Sequence, residues 1–108
     1  MKKRYVVKSK KEFNTILKNN NKYKNQCFIV HYINNNLEYS RFGIAVSKKI
    51  GNAVVRNKFK RQIRNIVDNN INLFQNNRDY IIIMRNDIKK TDFKILSDSL
   101  VDIIEKVK

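Results

Sequence analysis

Apolar positions along the chain fall into six periodic segments separated by asparagine-rich breaks. The first carries Phe13, Ile16 and Leu17 at helical spacing. Ser9 and Glu12 have the spacing of a capping box, which predicts a short amphipathic helix ended by Asn19-Asn20-Asn21. Residues 26–33, QCFIVHYI, alternate instead. Cys27, Ile29, His31 and Ile33 fall on one side of the predicted strand, and Phe28, Val30 and Tyr32 on the other. Asn34-Asn35-Asn36 turns the chain into a second strand, Glu38 to Ser47, with Phe42, Ile44 and Val46 facing one way. Arg41, Gly43, Ala45 and Ser47 face the other, and the small residues among them leave room for a helix or ligand to approach.

Gly51-Asn52 reads as a loop-to-helix junction in which Asn52 caps the first turn. Beyond it Val55, Phe59, Ile63, Ile66 and Val67 recur at helical spacing, predicting a helix over residues 53–69. Asp79 to Arg85, DYIIIMR, is an apolar run of the buried-strand type. Thr91 is placed to cap a last helix carrying Phe93, Leu96, Leu100, Ile103, Ile104 and Val107. The order α-β-β-α-β-α predicts an α+β fold, a two-layer sandwich with the middle helix crossing from strand to strand. A chain of 108 residues suits one domain, residues 1–108, with residues 1–8 as a loosely ordered basic arm.

Charge sharpens this picture. The formal net charge is +15, and residues 1–64 hold all the excess, with 17 Lys and Arg against only Glu12 and Glu38. Residues 65–108 balance, seven against seven. Self-repulsion of that size destabilises a compact chain, so its simplest reason is a polyanionic partner. Cys27 is alone, reads as a small buried hydrophobe, and fits a reducing, cytoplasmic setting. Only Tyr5-Val6-Val7 follows the basic start before Lys8, so there is no signal-peptide core, and no run is long enough to cross a bilayer. Neither a membrane nor a small-molecule substrate is expected.

The excess charge peaks between Ser47 and Asn65, SKKIGNAVVRNKFKRQIRN. Counting Arg41 just ahead, the stretch has eight basic residues and no acid. On a helix, Arg56, Lys60 and Arg64 form a row beside the apolar arc, and Asn57, Lys58 and Arg61 cover much of the rest. One face suits a core and the other a phosphate backbone.

This stretch resembles the RNR motif of the bacterial ribonuclease P protein subunit. The resemblance extends along nearly the whole chain, through the Phe13 helix, the strand ending Val46-Ser47-Lys48-Lys49 and the Asp79-Tyr80-Ile81-Ile82-Ile83 strand. It implies a ribosomal-S5-domain-2-like fold with a left-handed βαβ crossover, a handedness that the general rule would not suggest. It also implies the function: the small partner of a catalytic RNA, together removing the 5′ leader of precursor tRNA. Magnesium is then expected to be bound mainly by the RNA, which performs the chemistry.

Carried over, the motif puts Lys48, Lys49, Asn52, Arg56, Asn57, Lys60, Arg61 and Arg64 at the RNA face. Lys58 stands where the family usually has arginine, so a point contact to phosphate replaces a planar fork. Phe13 matches the family's helix aromatic and, with Leu17, His31, Ser47 and Arg85, is assigned to a leader cleft between the first helix and the sheet. Leu17 and His31 replace an aromatic and a tyrosine common in the family, which weakens the stacking surface. From spacing alone, Phe13 and Leu17 read as core residues, and Arg85 as either solvated or part of a phosphate surface.

Protein-based nuclease chemistry needs converging carboxylates or a His/Lys acid–base pair. Glu12 reads as a cap partner, and Asp92, Asp98, Asp102 and Glu105 as a solvated helix face. His31 has no second His, Cys pair or carboxylate cluster at ligand spacing. No catalytic residue and no metal site is therefore expected in the protein. The competing readings are a structural rRNA-binding protein of the same fold and a stand-alone metal nuclease; the latter requires acids that the basic half lacks.

Overall fold

Parallel pairing of two strands that lie far apart in sequence organises the molecule. The computed structural model describes residues 5–7, 9–19, 21–85 and 91–107. Strands β1 (Lys22–Lys24), β2 (Phe28–Asn34), β3 (Arg41–Val46) and β4 (Arg78–Met84) form one sheet in the order β1-β2-β4-β3. β3 runs parallel to β4, and the other neighbours are antiparallel. Helix α2 (Ala53–Asn69) is the crossover between the parallel strands; α1 (Lys10–Lys18) precedes the sheet and α3 (Phe93–Lys106) follows it.

The register gives the sheet two different faces. Phe28, Met84 and Val46 form one cross-strand row, Val30, Ile82 and Ile44 the next, and Tyr32, Tyr80 and Phe42 a third. These rows pack against Ile63, Ile66 and Val67 of α2 and Leu96, Leu100, Ile103 and Ile104 of α3, forming the main core. Each fully buried aliphatic or Phe side chain among them contributes roughly 1.5–3 kcal/mol, and half-buried Tyr32 and Ile44 less. Phe42, Phe74 and Tyr80 close one end, with ring centroids 4.9, 5.6 and 5.2 Å apart. On the opposite face, α1 lays Ile16, Phe13 and Leu17 on Ile81, Ile33 and Ile83. The sandwich of sheet and two helices thus has a third helix on its far side.

Several local features differ from the sequence reading. Strand β1 was hidden among the asparagine breaks because Lys22, Tyr23 and Lys24 are all exposed and carry no apolar alternation. Backbone pairing with Ile29, Val30 and His31 makes it a strand. β3 starts at Arg41 rather than Glu38, after a series of bends. Asn25 Oδ1 accepts from the amides of Cys27 and Phe28. Cys27 thereby precedes the pleat and joins the main core instead of facing with Ile29. Asp92, not Thr91, caps α3, its carboxylate accepting from the Ile95 amide at 2.9 Å. In the N-terminal segment, Val6 bridges to Phe42 and Val7 is buried, so residues 5–7 belong to the fold. The remaining arm residues, 1–4 and 8, lie outside the described residues, as do Lys89 and Lys90.

Gly43 decides how closely α1 can approach. A Cβ there would stand 2.6 Å from Phe13 Cε2 and 2.8 Å from Ile81 Cδ1. The absent side chain is what lets the Phe13 ring lie on the strand. Gly43→Val is expected to cost about 1–3 kcal/mol, the usual range for overpacking. Urea denaturation would measure it, and adding Phe13→Leu is expected to recover part of the loss.

Candidate nucleic-acid interface

The cationic ridge is built by ordinary helix chemistry. Asn52 Oδ1 accepts from the Val55 amide at 3.1 Å and starts α2. Ser47 Oγ accepts from the Lys49 amide at 3.2 Å and starts a single 3-10 turn, Lys48–Ile50, just before it. Buried residues of α2 are confined to Ile63, Ile66 and Val67, with Phe59 half-buried. Val55 is more marginal than its spacing suggests: it is 36% exposed, because the first turns of α2 lie beyond most of the core, and Val54 is 78% exposed. Lys48, Lys49, Asn52, Asn57, Lys58, Arg61 and Arg64 are exposed, and Arg56 and Lys60 half-buried.

Among the described residues, none of these cations forms a salt bridge; the ion pairs present use Arg41 and Lys106. Arg56 Nε donates to the Gly51 carbonyl at 3.2 Å, which holds its side chain along the junction. Arg56, Lys60 and Arg64 repeat every four residues, where like charges destabilise a helix by roughly 0.2–0.5 kcal/mol per pair. The first turn has no acid, so its positive dipole end adds to the field of Lys48 and Lys49. The surface is poised for anions.

Arg41 does not belong to this ridge. It points to the α1 face, where its guanidinium meets Asp79 at 3.0 and 2.6 Å and Glu12 at 2.6 Å. Hydrogen bonds to Asp79 are the main reason its pKa is raised above an already high value, with Glu12 adding to the effect and burial opposing it. Asn35 also donates to Asp79, at 2.7 Å. Glu12 has two tasks: its amide completes the Ser9 cap at 3.1 Å, and its carboxylate ties α1 to the sheet through Arg41.

The rest of the α1 face is half open. Phe13 and Leu17 are half-buried against Ile81, and Ile29, Ile83 and Ala45 form a half-buried row beyond them. Ser47 continues the edge of β3, its hydroxyl engaged with the Lys49 amide. Arg85 is half-buried after β4 and donates to the Asn25 carbonyl at 3.0 Å, so its guanidinium is steered toward the start of β2. His31 lies in register with Ile81 and with Lys22. Burial and the charge of Lys22 lower its pKa, and a hydrogen bond with the Asn19 backbone partly opposes them. Its Nδ1 is buried without a partner among the described residues. The pairing of β1 also brings Lys22 and Lys24 to this face, which no pattern in the sequence signalled. Among the described residues, no group of three or more His, Cys, Asp or Glu side chains is placed to hold a metal ion.

Fold and surface together define a small α+β domain with a cationic ridge along α2 on one side and a half-open, partly apolar sheet face on the other. The family model described as Ribonuclease P matches residues 1–108. A ribonuclease P protein component of Mycoplasma mycoides is 45% identical over 109 residues, covering 100% of both chains. One from Streptococcus agalactiae is 36% identical, over 97% of this chain and 95% of the other. Among solved structures, the Staphylococcus aureus RNase P protein aligns with a TM-score of 0.88 at 34% identity, covering 96% of this chain and 95% of that one. The Thermotoga maritima protein gives 0.87 at 28% identity, over 95% and 97%. The chain belongs to the ribonuclease P protein family, the protein component of that ribonucleoprotein endoribonuclease.

Two measurements probe these environments. Arg41→Ala leaves the Asp79 carboxylate, 6% exposed, without its cation. The expected loss is about 2–4 kcal/mol, at or below the fully buried case because the guanidinium keeps some solvent contact; a urea melt reads it. For His31 the folded-state pKa lies below the unfolded value, so the unfolded chain binds the proton more readily. Stability is therefore expected to fall as pH drops through and below the ordinary histidine range, and His31→Gln to flatten that dependence in urea melts at pH 8 and pH 5 (roughly the limits of histidine titration).

Proposed function

We propose that the protein binds the catalytic RNA of ribonuclease P through the α2 ridge and holds the 5′ leader of precursor tRNA on the α1 face. The observation that carries this is the run of α2 cations left without carboxylate partners among the described residues. Such a surface neutralises phosphates and releases counterions. Lys48, Lys49, Arg56, Lys58, Lys60, Arg61 and Arg64 supply charge, and Asn52 and Asn57 flank them with neutral donors. Lys58 meets phosphate as a point charge, where an arginine fork would grip two oxygens.

Phe13, Leu17 and His31, with the row Ile29, Ile83 and Ala45, offer a half-open apolar floor on which unpaired leader bases rest. Ser47 and Arg85 border that floor. With only Phe13 aromatic on the helix side, stacking is weaker than two rings would give, and leader preference is broad. Hydrolysis is carried by the RNA and the magnesium ions it binds, in the cytoplasm. The protein contributes position and charge.

The test is reconstitution. The purified chain alone is expected to leave precursor tRNA uncut, and adding ribonuclease P RNA at low millimolar magnesium to restore cleavage at the mature 5′ end. Cleavage by the protein alone, or no change in the RNA's activity on adding it, would overturn the reading.

A further inference from the structure

We infer that the edge strand β1 extends the leader path, with Lys22 and Lys24 holding phosphates of leader nucleotides farther from the cleavage site than those against Phe13. The inference rests on the leader reading above and adds a second contact zone to it. Three observations converge on it.

The first is register. Lys22 pairs with His31 and Lys24 with Ile29, so both lysines share the α1 face and not the α3 face. Lys24, Ile29, Ile83 and Ala45 make one row across all four strands: an apolar floor ending in a cation. The second is exposure. All three residues of β1 are exposed, and β1 is an outer strand of the sheet. Lys22 is close enough to the half-buried floor for its charge to disfavour protonation of His31.

The third is the contrast between the faces. Tyr23, in register with Val30 on the α3 side, is 41% exposed. The cavity on that side, about 410 Å³, is lined by Asp98 and Asp102 of α3 together with Asn25 and Gln26. A phosphate chain reaching β1 is repelled there and drawn to the lysine side. Because α2 and Lys48-Lys49 follow directly from β3, RNA held by the ridge lies nearer β3 than β1. A leader crossing the sheet meets β3 first and β1 last, a span of roughly 14 Å for three strand spacings. The lysines therefore touch its distal part.

Edge-strand lysines also deter edge-to-edge pairing. That role is blind to leader length, which supplies the test. Holoenzyme carrying Lys22→Gln/Lys24→Gln is compared with wild type for binding precursor tRNA with a leader long enough to cross the sheet, and with a single-nucleotide leader. The long-leader substrate is expected to bind about five-fold more weakly, as loss of two exposed ion pairs would give. Its log–log salt slope is expected to fall by about 1.4, for two single-strand phosphate contacts. The short-leader substrate is expected to bind as before, and Lys22→Arg/Lys24→Arg to restore the long-leader affinity. No loss, or equal loss on both substrates, would overturn the proposal; equal loss would place the lysines on the catalytic RNA or the tRNA body. Phe13→Ala, run in parallel, separates the two levels. If it discriminates by leader length and the lysine pair does not, only the β1 zone fails. If neither discriminates, the leader reading fails with it.

Discussion

Everything in this molecule follows from how α2 must be buried. β3 and β4 run parallel and adjacent, so the chain has to return over the sheet between them, and a helix is the economical way to do it. That helix anchors itself with a narrow stripe, Ile63, Ile66 and Val67, supported by Phe59. Most of its circumference is left to solvent, and five of its six charged residues are cations, Asp68 being the acid. Helix repulsion and the unshielded dipole end both oppose folding, so the charge of the ridge works against the stability of the chain. The stability has to come from the opposite side of the same helix and from α3, where the buried residues concentrate.

The two faces of the sheet divide the work. The α2–α3 face is packed: Phe28, Val30, Phe42, Tyr80, Ile82 and Met84 are buried together. The α1 face is only partly filled, with its helix fixed at two points. Phe13 rests where Gly43 has no side chain, and Glu12 is pinned to Arg41, which Asp79 holds in turn. Between those anchors and the β1 edge, a half-buried apolar strip remains. A face finished by packing would have no room for a ligand, whereas one left bare would invite aggregation. The lysines at its border keep it wet and positive.

Four carboxylates in the described structure have structural partners. Asp79 and Glu12 hold Arg41, Asp92 caps α3, and Asp102 pairs with Lys106. None converges with another beside the ridge. Family membership assigns the chain to a ribonucleoprotein endoribonuclease.

By itself the sequence determined the helices, three of the four strands, the sidedness of β2 and β3, and the cationic stripe, because each is written in local periodicity and local charge. The Ser47–Arg64 motif also carried the family. The resemblance implied a βαβ crossover, but only the tertiary structure decided the register in which β3 lies parallel beside β4, since register depends on contacts between residues distant in the chain. The same long-range pairing took Arg41 from the ridge and gave it to Asp79, 38 residues away. It aimed Arg85 at the Asn25 carbonyl and made a strand of Lys22–Lys24, a segment with no periodicity to read. A side chain's type limits what it can do, but which carboxylate or carbonyl stands opposite it is set by the fold.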